Sequence, residues 1–262
     1  MKLIFATGNK GKLREAREIL GPHGIEVISP YDIGLTKEQV EVEETGSTFE
    51  ENAIIKVQNL WNLTGMPCFA DDSGLVVDAL GGAPGIYSAR YASLDGSGDD
   101  HNFASNIDKL LHNLQGVSDR TARFVCVVAL ALPAAGMPPV EHLPSVSSFA
   151  PLKLEQAPFP RLGVGLPGTG CEATRNRGPF PAAVQVFEGK CEGRIAEQPA
   201  GCGGFGYDPV FIPYAYPDRT LAEVDEDAKN AISHRGNALA GMLGFLANCS
   251  RCPEKRGTGN EK

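Results

Sequence analysis

The chain has 262 residues, 42% of them hydrophobic and 21% charged, which is enough for one large domain whose core needs no disulfide or metal staple. A net charge of −8 argues against a broad nucleic-acid-binding face, which needs clustered positive charge, but leaves room for a small anionic ligand held by a few cations and backbone N–H groups. The seven scattered cysteines do not form a disulfide framework, and no apolar run approaches the roughly 20 residues of a membrane span, so a cytoplasmic protein without nucleic-acid or membrane partners is expected.

In chain order, residues 3–6 read as a short buried strand, and Thr7-Gly8-Asn9 as a turn. A helix follows over residues 11–20 and is stopped by Gly21-Pro22, with a second strand at 25–28. This strand–loop–helix–strand opening is typical of α/β proteins. Thr48-Phe-Glu-Glu51 fits a capping box, Thr48 at the N-cap and Glu51 reaching back, for a helix running to Leu63 with Ala53, Val57 and Trp61 on one stripe. Residues 67–70 form a short apolar strand, Asp71-Asp72-Ser73-Gly74 a polar turn at its carboxyl end, and residues 75–80 another strand. Ile107, Leu110, Leu111 and Leu114 mark an amphipathic helix, and residues 124–132 a central strand. The stretch 133–183 is rich in Pro and Gly without sustained period and reads as an irregular insertion. Strand character returns at 184–189, paired with 193–197, and the last helix spans 236–246. The expected organisation is one α/β domain over residues 1–248, interrupted at 133–183, with a flexible tail at 249–262. Cys249 and Cys252 make a CxxC in that tail, but two further zinc ligands are not evident nearby.

Thr7-Gly8-Asn9-Lys10-Gly11-Lys12 lies between a strand and a helix, where exposed N–H groups, the helix dipole and lysine charge can cradle phosphates. The glycine spacing is too short for a P-loop, and an ordinary strand–helix turn is the alternative. Asp71 and Asp72 follow a buried strand, the position where ligands gather in α/β sheets. Two carboxylates there can hold a hard cation, and one can take a proton from a water. Ser73 can donate to a phosphate. Glu43 and Glu44 offer another acidic pair, which matters only if it meets Asp72 in space, and Lys56 can neutralise phosphate charge. Gly201-Cys-Gly-Gly-Phe-Gly206 matches a dinucleotide fingerprint by accident, since Tyr207-Asp208-Pro209 begins no helix. What remains is a glycine loop whose Phe205 can stack on a base or lie buried in a hairpin. His234 and Arg235 open the last helix and can donate to purine carbonyls.

These pieces occur together and in one order. The set resembles the inosine triphosphatase family of non-standard purine nucleoside triphosphate pyrophosphatases. The matching segments are Phe5-Ala-Thr-Gly-Asn9 with Lys12; Glu43-Glu-Thr-Gly46; Thr48-Phe49 with Glu51-Asn-Ala53 and Lys56; Ala70-Asp-Asp-Ser-Gly-Leu75; the run from Leu80 to Tyr91; Gly203-Gly-Phe-Gly-Tyr-Asp-Pro209; and Lys229 with Ala231-Ile-Ser-His-Arg-Gly236. They span nearly the whole chain outside 133–183 and the tail. The resemblance implies an elongated central mixed β-sheet flanked by helices, two lobes with the active-site cleft between them, and a homodimer. It implies hydrolysis of ITP, dITP and XTP to the monophosphate and pyrophosphate with Mg²⁺. Asp72 would be the general base and a metal ligand, completed by Glu43 or Glu44. Lys12 would be the second catalytic residue, and Thr7, Gly8, Asn9, Lys10, Gly11 and Lys12 would hold the phosphates with Lys56 nearby. Ser73, Phe205, Gly206, Tyr207, Asp208, Lys229, His234 and Arg235 would contact the nucleotide. Rival readings are a nucleotide pyrophosphatase for other bases and a silent nucleotide-binding scaffold.

Overall fold

A computed structural model describes residues 1–96, 98, 102–133 and 182–249, and nearly all of the expected tail and of the expected insertion lie outside them. The strand signals resolve into one six-stranded sheet of order β2-β1-β3-β4-β5-β6. β1 is Lys2–Phe5, β2 Glu26–Ile28, β3 Cys68–Val77, β4 Thr121–Pro133, β5 Ala182–Ile195 and β6 Phe211–Pro213. β1 runs parallel to both neighbours, whereas β3, β4, β5 and β6 pair antiparallel, so the sheet is mixed as expected. The helices are α1 Lys10–Leu20, α2 Lys37–Val40, α3 Phe49–Thr64, α4 Phe103–Asn113, α5 Glu226–Ile232 and α6 His234–Cys249.

Strand alternation divides the apolar side chains between two faces. Ile4, Cys68, Ala70, Val125, Val127 and Ala129 pack beneath Ala53, Val57, Leu60 and Trp61 of α3. Their neighbours Leu3, Phe5, Phe69, Cys126, Val128 and Leu130 face Ala16 and Leu20 of α1 and Ala238, Leu239 and Met242 of α6. Beyond this three-layered part, β3, β4 and β5 continue into a second core, where Leu75, Val77, Phe124 and Phe211 meet Ile107 and Leu110 of α4. Among the described residues, no helix is long and apolar enough to cross a membrane.

Several expected boundaries need correction. Asp71-Asp72-Ser73-Gly74 is not a turn between two strands. All four residues lie inside β3, in continuous register with β4 from Cys68↔Ala131 to Val77↔Ala122. Their turn-forming composition is overridden by the ladder and by ion pairs to the two aspartates. The same strand ends at Val77, and Asp78–Leu80 is a 3-10 turn. The expected hairpin of 184–189 with 193–197 is one strand, β5, which carries Gly189 and Lys190 straight through. β4 and β5 remain paired out to Pro133 and Ala182, so the ends of the irregular stretch belong to the sheet. Thr48 caps α3 through Glu51 N–H, but Glu51 reaches back to the backbone and hydroxyl of Ser47 rather than to Thr48.

Gly189 has a specific packing duty. A Cβ at this position would collide with the backbone of His234 and Ala238, so α6 lies directly on β5 only because the side chain is absent. Gly189→Ala is expected to destabilise the fold by about 1–3 kcal/mol through overpacking. A urea midpoint unchanged from wild type would contradict this account.

Candidate active site

The two faces of β3 set the site. Successive residues of a strand point to opposite sides, so Asp71 and Ser73 turn toward α1 and α6 while Asp72 turns toward α3. Asp71 is buried and is held by Lys12 Nζ at 3.0 Å and Arg235 Nε at 3.0 Å. Burial opposes its ionisation, but the charges of Lys12, Arg235 and Lys56 outweigh that and hold its carboxyl well below the usual carboxylate range. Asp72 is also buried, with Lys56 Nζ at 2.8 Å from Oδ1 and Asn52 Nδ2 at 3.4 Å from Oδ2. Here burial wins over Lys56 and Lys12, and the carboxyl is raised above its ordinary value. Two adjacent carboxylates therefore differ in proton affinity, which separates a permanently charged anchor from a group able to accept a proton.

Lys56 also reaches Glu44 Oε1 at 3.0 Å. Burial works against its charge, but Asp72, Glu44 and Asp71 hold the ammonium above its usual range. Of the two acidic candidates Glu43 and Glu44, the structure ties Glu44 to Asp72 through this lysine; Glu43 lines the same cleft but is exposed.

The loop before α1 is shaped by its own side chains. Asn9 Oδ1 caps α1 by accepting from Gly11 N and Lys12 N at 2.8 and 3.2 Å, and Thr7 Oγ1 accepts from Asn9 N at 3.1 Å. Thr7, Gly8, Asn9 and Lys12 line the cleft, whereas Lys10 and Gly11 do not. Lys10 is exposed. Gly11 abuts the Phe205 ring, which a Cβ there would approach to 3.2 Å.

At the other end, the glycine loop is pinned by Asp208, whose Oδ2 accepts from Phe205 N at 2.8 Å and from Lys229 Nζ at 2.8 Å. Burial raises the Asp208 carboxyl despite Lys229. Tyr207 is buried and donates to Ser88 O at 2.9 Å, leaving Phe205 and Gly206 half-buried at the mouth. Lys229 Nζ lies 4.9 Å from the centre of the Phe205 ring. His234 stacks on Phe124 with centroids 4.8 Å apart. Burial and the nearby Arg235 push its imidazole well below the usual value, so the ring is neutral, and its buried Nδ1 has no hydrogen-bond partner among the described residues.

Arg235 departs from the expected placement. It is 1% exposed and does not line the cleft. Its guanidinium pairs with Asp71, Glu15 and Ser73 Oγ and its Cζ lies 5.8 Å from the centre of the Phe205 ring, so it stands behind the carboxylates and beside the aromatic loop. Glu15 was not singled out from the sequence. It is buried on α1 and pairs with both Arg235 and Lys229, linking the Asp71 cluster to Asp208 and the aromatic loop. The available signal was a carboxylate beside Ala16 on the apolar stripe of a helix, a position that demands a buried cation.

The whole arrangement encloses a cleft of 1140 Å³. It has a cationic, N–H-rich end at Lys12 and Lys56, a proton acceptor at Asp72 and an aromatic ring at Phe205. Such a cleft suits an elongated polyanion carrying a flat ring.

A sequence model of the Ham1 family matches residues 3–142 and 176–245. A dITP/XTP pyrophosphatase of Bacillus licheniformis is 40% identical over 247 residues, covering 94% of this chain and 97% of that one. One from Yersinia pestis is 40% identical over the same length, covering 94% and 98%. Among solved structures, the Ham1 protein of Staphylococcus aureus superposes with a TM-score of 0.65 at 32% identity, covering 95% of this chain and 99% of that one. A nucleoside-triphosphatase, dITP/XTP pyrophosphatase, of Mycobacterium abscessus does so with a TM-score of 0.59 at 35% identity, covering 93% and 99%.

Proposed function

The chain belongs to the Ham1 family, and on that footing we propose that it hydrolyses the non-standard purine nucleotides ITP, dITP and XTP to the monophosphate and pyrophosphate. The observation that carries the reading is Asp72. Its carboxyl is raised by burial and is set between Lys56 and Asn52 in a cleft with a phosphate-suited loop at one end and an aromatic ring at the other. In the proposed step, a water oxygen forms a bond to the α-phosphorus and its proton passes to Asp72. The bond from that phosphorus to the bridging oxygen breaks, and pyrophosphate leaves with the electron pair. Lys12 and Lys56 offset the phosphate charge, and Thr7, Gly8 and Asn9 line its path. Phe205 stacks on the base, and Ser73, Gly206 and His234 border the nucleoside.

The residues fit a magnesium ion. Asp72 Oδ1 and Glu44 Oε1 already converge on one cation, Lys56 Nζ, at 2.8 and 3.0 Å. Among the described residues, no three His, Cys, Asp or Glu side chains form a complete cage. That suits Mg²⁺, which keeps waters and substrate phosphates as ligands beside one or two carboxylates. Asp72 and Glu44 would hold it, and the ion would supply charge stabilisation at the phosphates.

A homodimer, a cytoplasmic setting and a single domain interrupted near 133–183 complete the proposal. The gap between residues 142 and 176 in the family match supports the interruption.

A panel of ITP, dITP, XTP, GTP and ATP, with pyrophosphate detection and with or without Mg²⁺, tests the reading. Turnover of ATP and GTP equal to that of ITP would overturn it. Phe205→Ala is expected to weaken nucleotide binding by about 1–3 kcal/mol, the worth of one base–aromatic stack. An unchanged KM for ITP would remove Phe205 from the base site.

A further inference from the structure

We propose that Asn52 is a positioning residue that locks the Glu44 loop to Asp72 and so sets the spacing of the two carboxylates. The proposal rests on the pyrophosphohydrolase reading above.

Asn52 sits in the second turn of α3 and is 0% exposed, so it does not touch substrate. Its Oδ1 accepts from Gly46 N at 2.9 Å and its Nδ2 donates to Asp72 Oδ2 at 3.4 Å. A backbone N–H can only donate, so the Gly46 contact fixes the amide oxygen toward the loop and turns the NH₂ group toward the carboxylate. One side chain thereby serves both partners, and the orientation cannot flip without leaving both unsatisfied.

A second observation concerns how closely the loop approaches. A Cβ on Gly46 would lie 2.6 Å from Asn52 Oδ1 and 2.7 Å from Glu51 Cβ. The loop can reach the amide only because residue 46 has no side chain. Thr45 N donates to Glu43 O at 3.1 Å, which closes a tight turn just before this anchor. Glu44 lies inside that turn, two residues from the anchored N–H, and meets Asp72 at Lys56. Asn52 thus fixes the loop that carries one carboxylate while donating to the other. The oxygen of Asp72 that it does not touch, Oδ1, stays toward Lys56 and Glu44.

The test compares wild type with Asn52→Leu, which removes both contacts, and Asn52→Asp, which keeps an acceptor for Gly46 and removes the donor to Asp72. Binding of Mn²⁺ alone is read by electron paramagnetic resonance, IMP binding by calorimetry, and kcat with ITP. Loss of an outer group that orients metal ligands costs about 10–100-fold in affinity or activity. Asn52→Leu should weaken Mn²⁺ binding and lower kcat by about that factor while leaving IMP affinity within about threefold. Asn52→Asp should lower kcat by about tenfold or more although its loop stays anchored. A parallel fall of IMP affinity and kcat in Asn52→Leu would mark a merely structural residue and overturn the proposal. If that variant does not fold, Asn52→Asp decides: kcat within about threefold of wild type overturns it. Wild type that turns over no nucleotide would instead refute the proposed function, a separate outcome.

Discussion

Asp72→Asn lowers kcat for ITP by about 10²–10⁴-fold, the usual contribution of a positioned general base, with the fold intact. The amide has the same shape as the carboxylate but cannot take a proton from water at neutral pH. It also removes one of the two carboxylates that converge on Lys56, so the loss should fall at the upper end of that range. Stability should change little, because Lys56 keeps Glu44 and the Asp71 backbone carbonyl as partners. Pyrophosphate release and a urea unfolding curve, measured on the same preparation, check both halves. A kcat within about threefold of wild type would remove Asp72 from the chemistry.

Arg235→Met destabilises the protein by about 3–5 kcal/mol, the cost of breaking a buried ion pair from one side. Methionine fills much of the volume but leaves the buried carboxylates of Asp71 and Glu15 with fewer cations. The Asp71 carboxyl keeps its charge in the interior only because cations such as Arg235 stand beside it. Urea unfolding reads the effect; a loss below about 1 kcal/mol would mean that Lys12 and Lys229 suffice without Arg235. If Arg235 instead served mainly as a base contact, its removal would relax nucleotide selectivity at nearly unchanged stability. The same cluster fixes an acid dependence. The Asp71 carboxyl is depressed in the folded state. Its contribution is therefore present above about pH 3.9, the ordinary carboxylate value, and is lost as the pH falls below it toward the folded value.

Much of the α/β framework was legible in the chain because it depends on local signals. Periodicity located α1, α3, α4 and α6, and buried apolar runs located β1 and β4. The errors have a common cause. Asp71-Asp72-Ser73-Gly74 has the composition of a turn, but Lys12 and Arg235 neutralise Asp71 from 59 and 164 residues away. A strand through buried carboxylates becomes affordable only with those partners in place. Likewise, the stretch between Gly189 and Gly193 resembles a hairpin turn until β4 is paired along its full length. Glu15 and Asn52 were passed over for the converse reason. A polar residue on a helix carries no local mark of burial, and its partners come from other elements.

The sequence by itself determined the inventory: a glycine-shaped loop ahead of a helix, an aspartate pair flanked by apolar residues, lysines at Lys12 and Lys56, and an aromatic glycine loop, in the order that marks the family. Only the tertiary structure decided how the labour is divided. It holds the Asp71 carboxyl low and raises that of Asp72, ties Glu44 rather than Glu43 to Asp72 through Lys56, and buries Arg235 among Asp71, Glu15 and the Phe205 ring. The physical reason is that a side chain's proton affinity and reach depend on burial and on the charges around it. In this fold, those charges come from segments far apart in the chain.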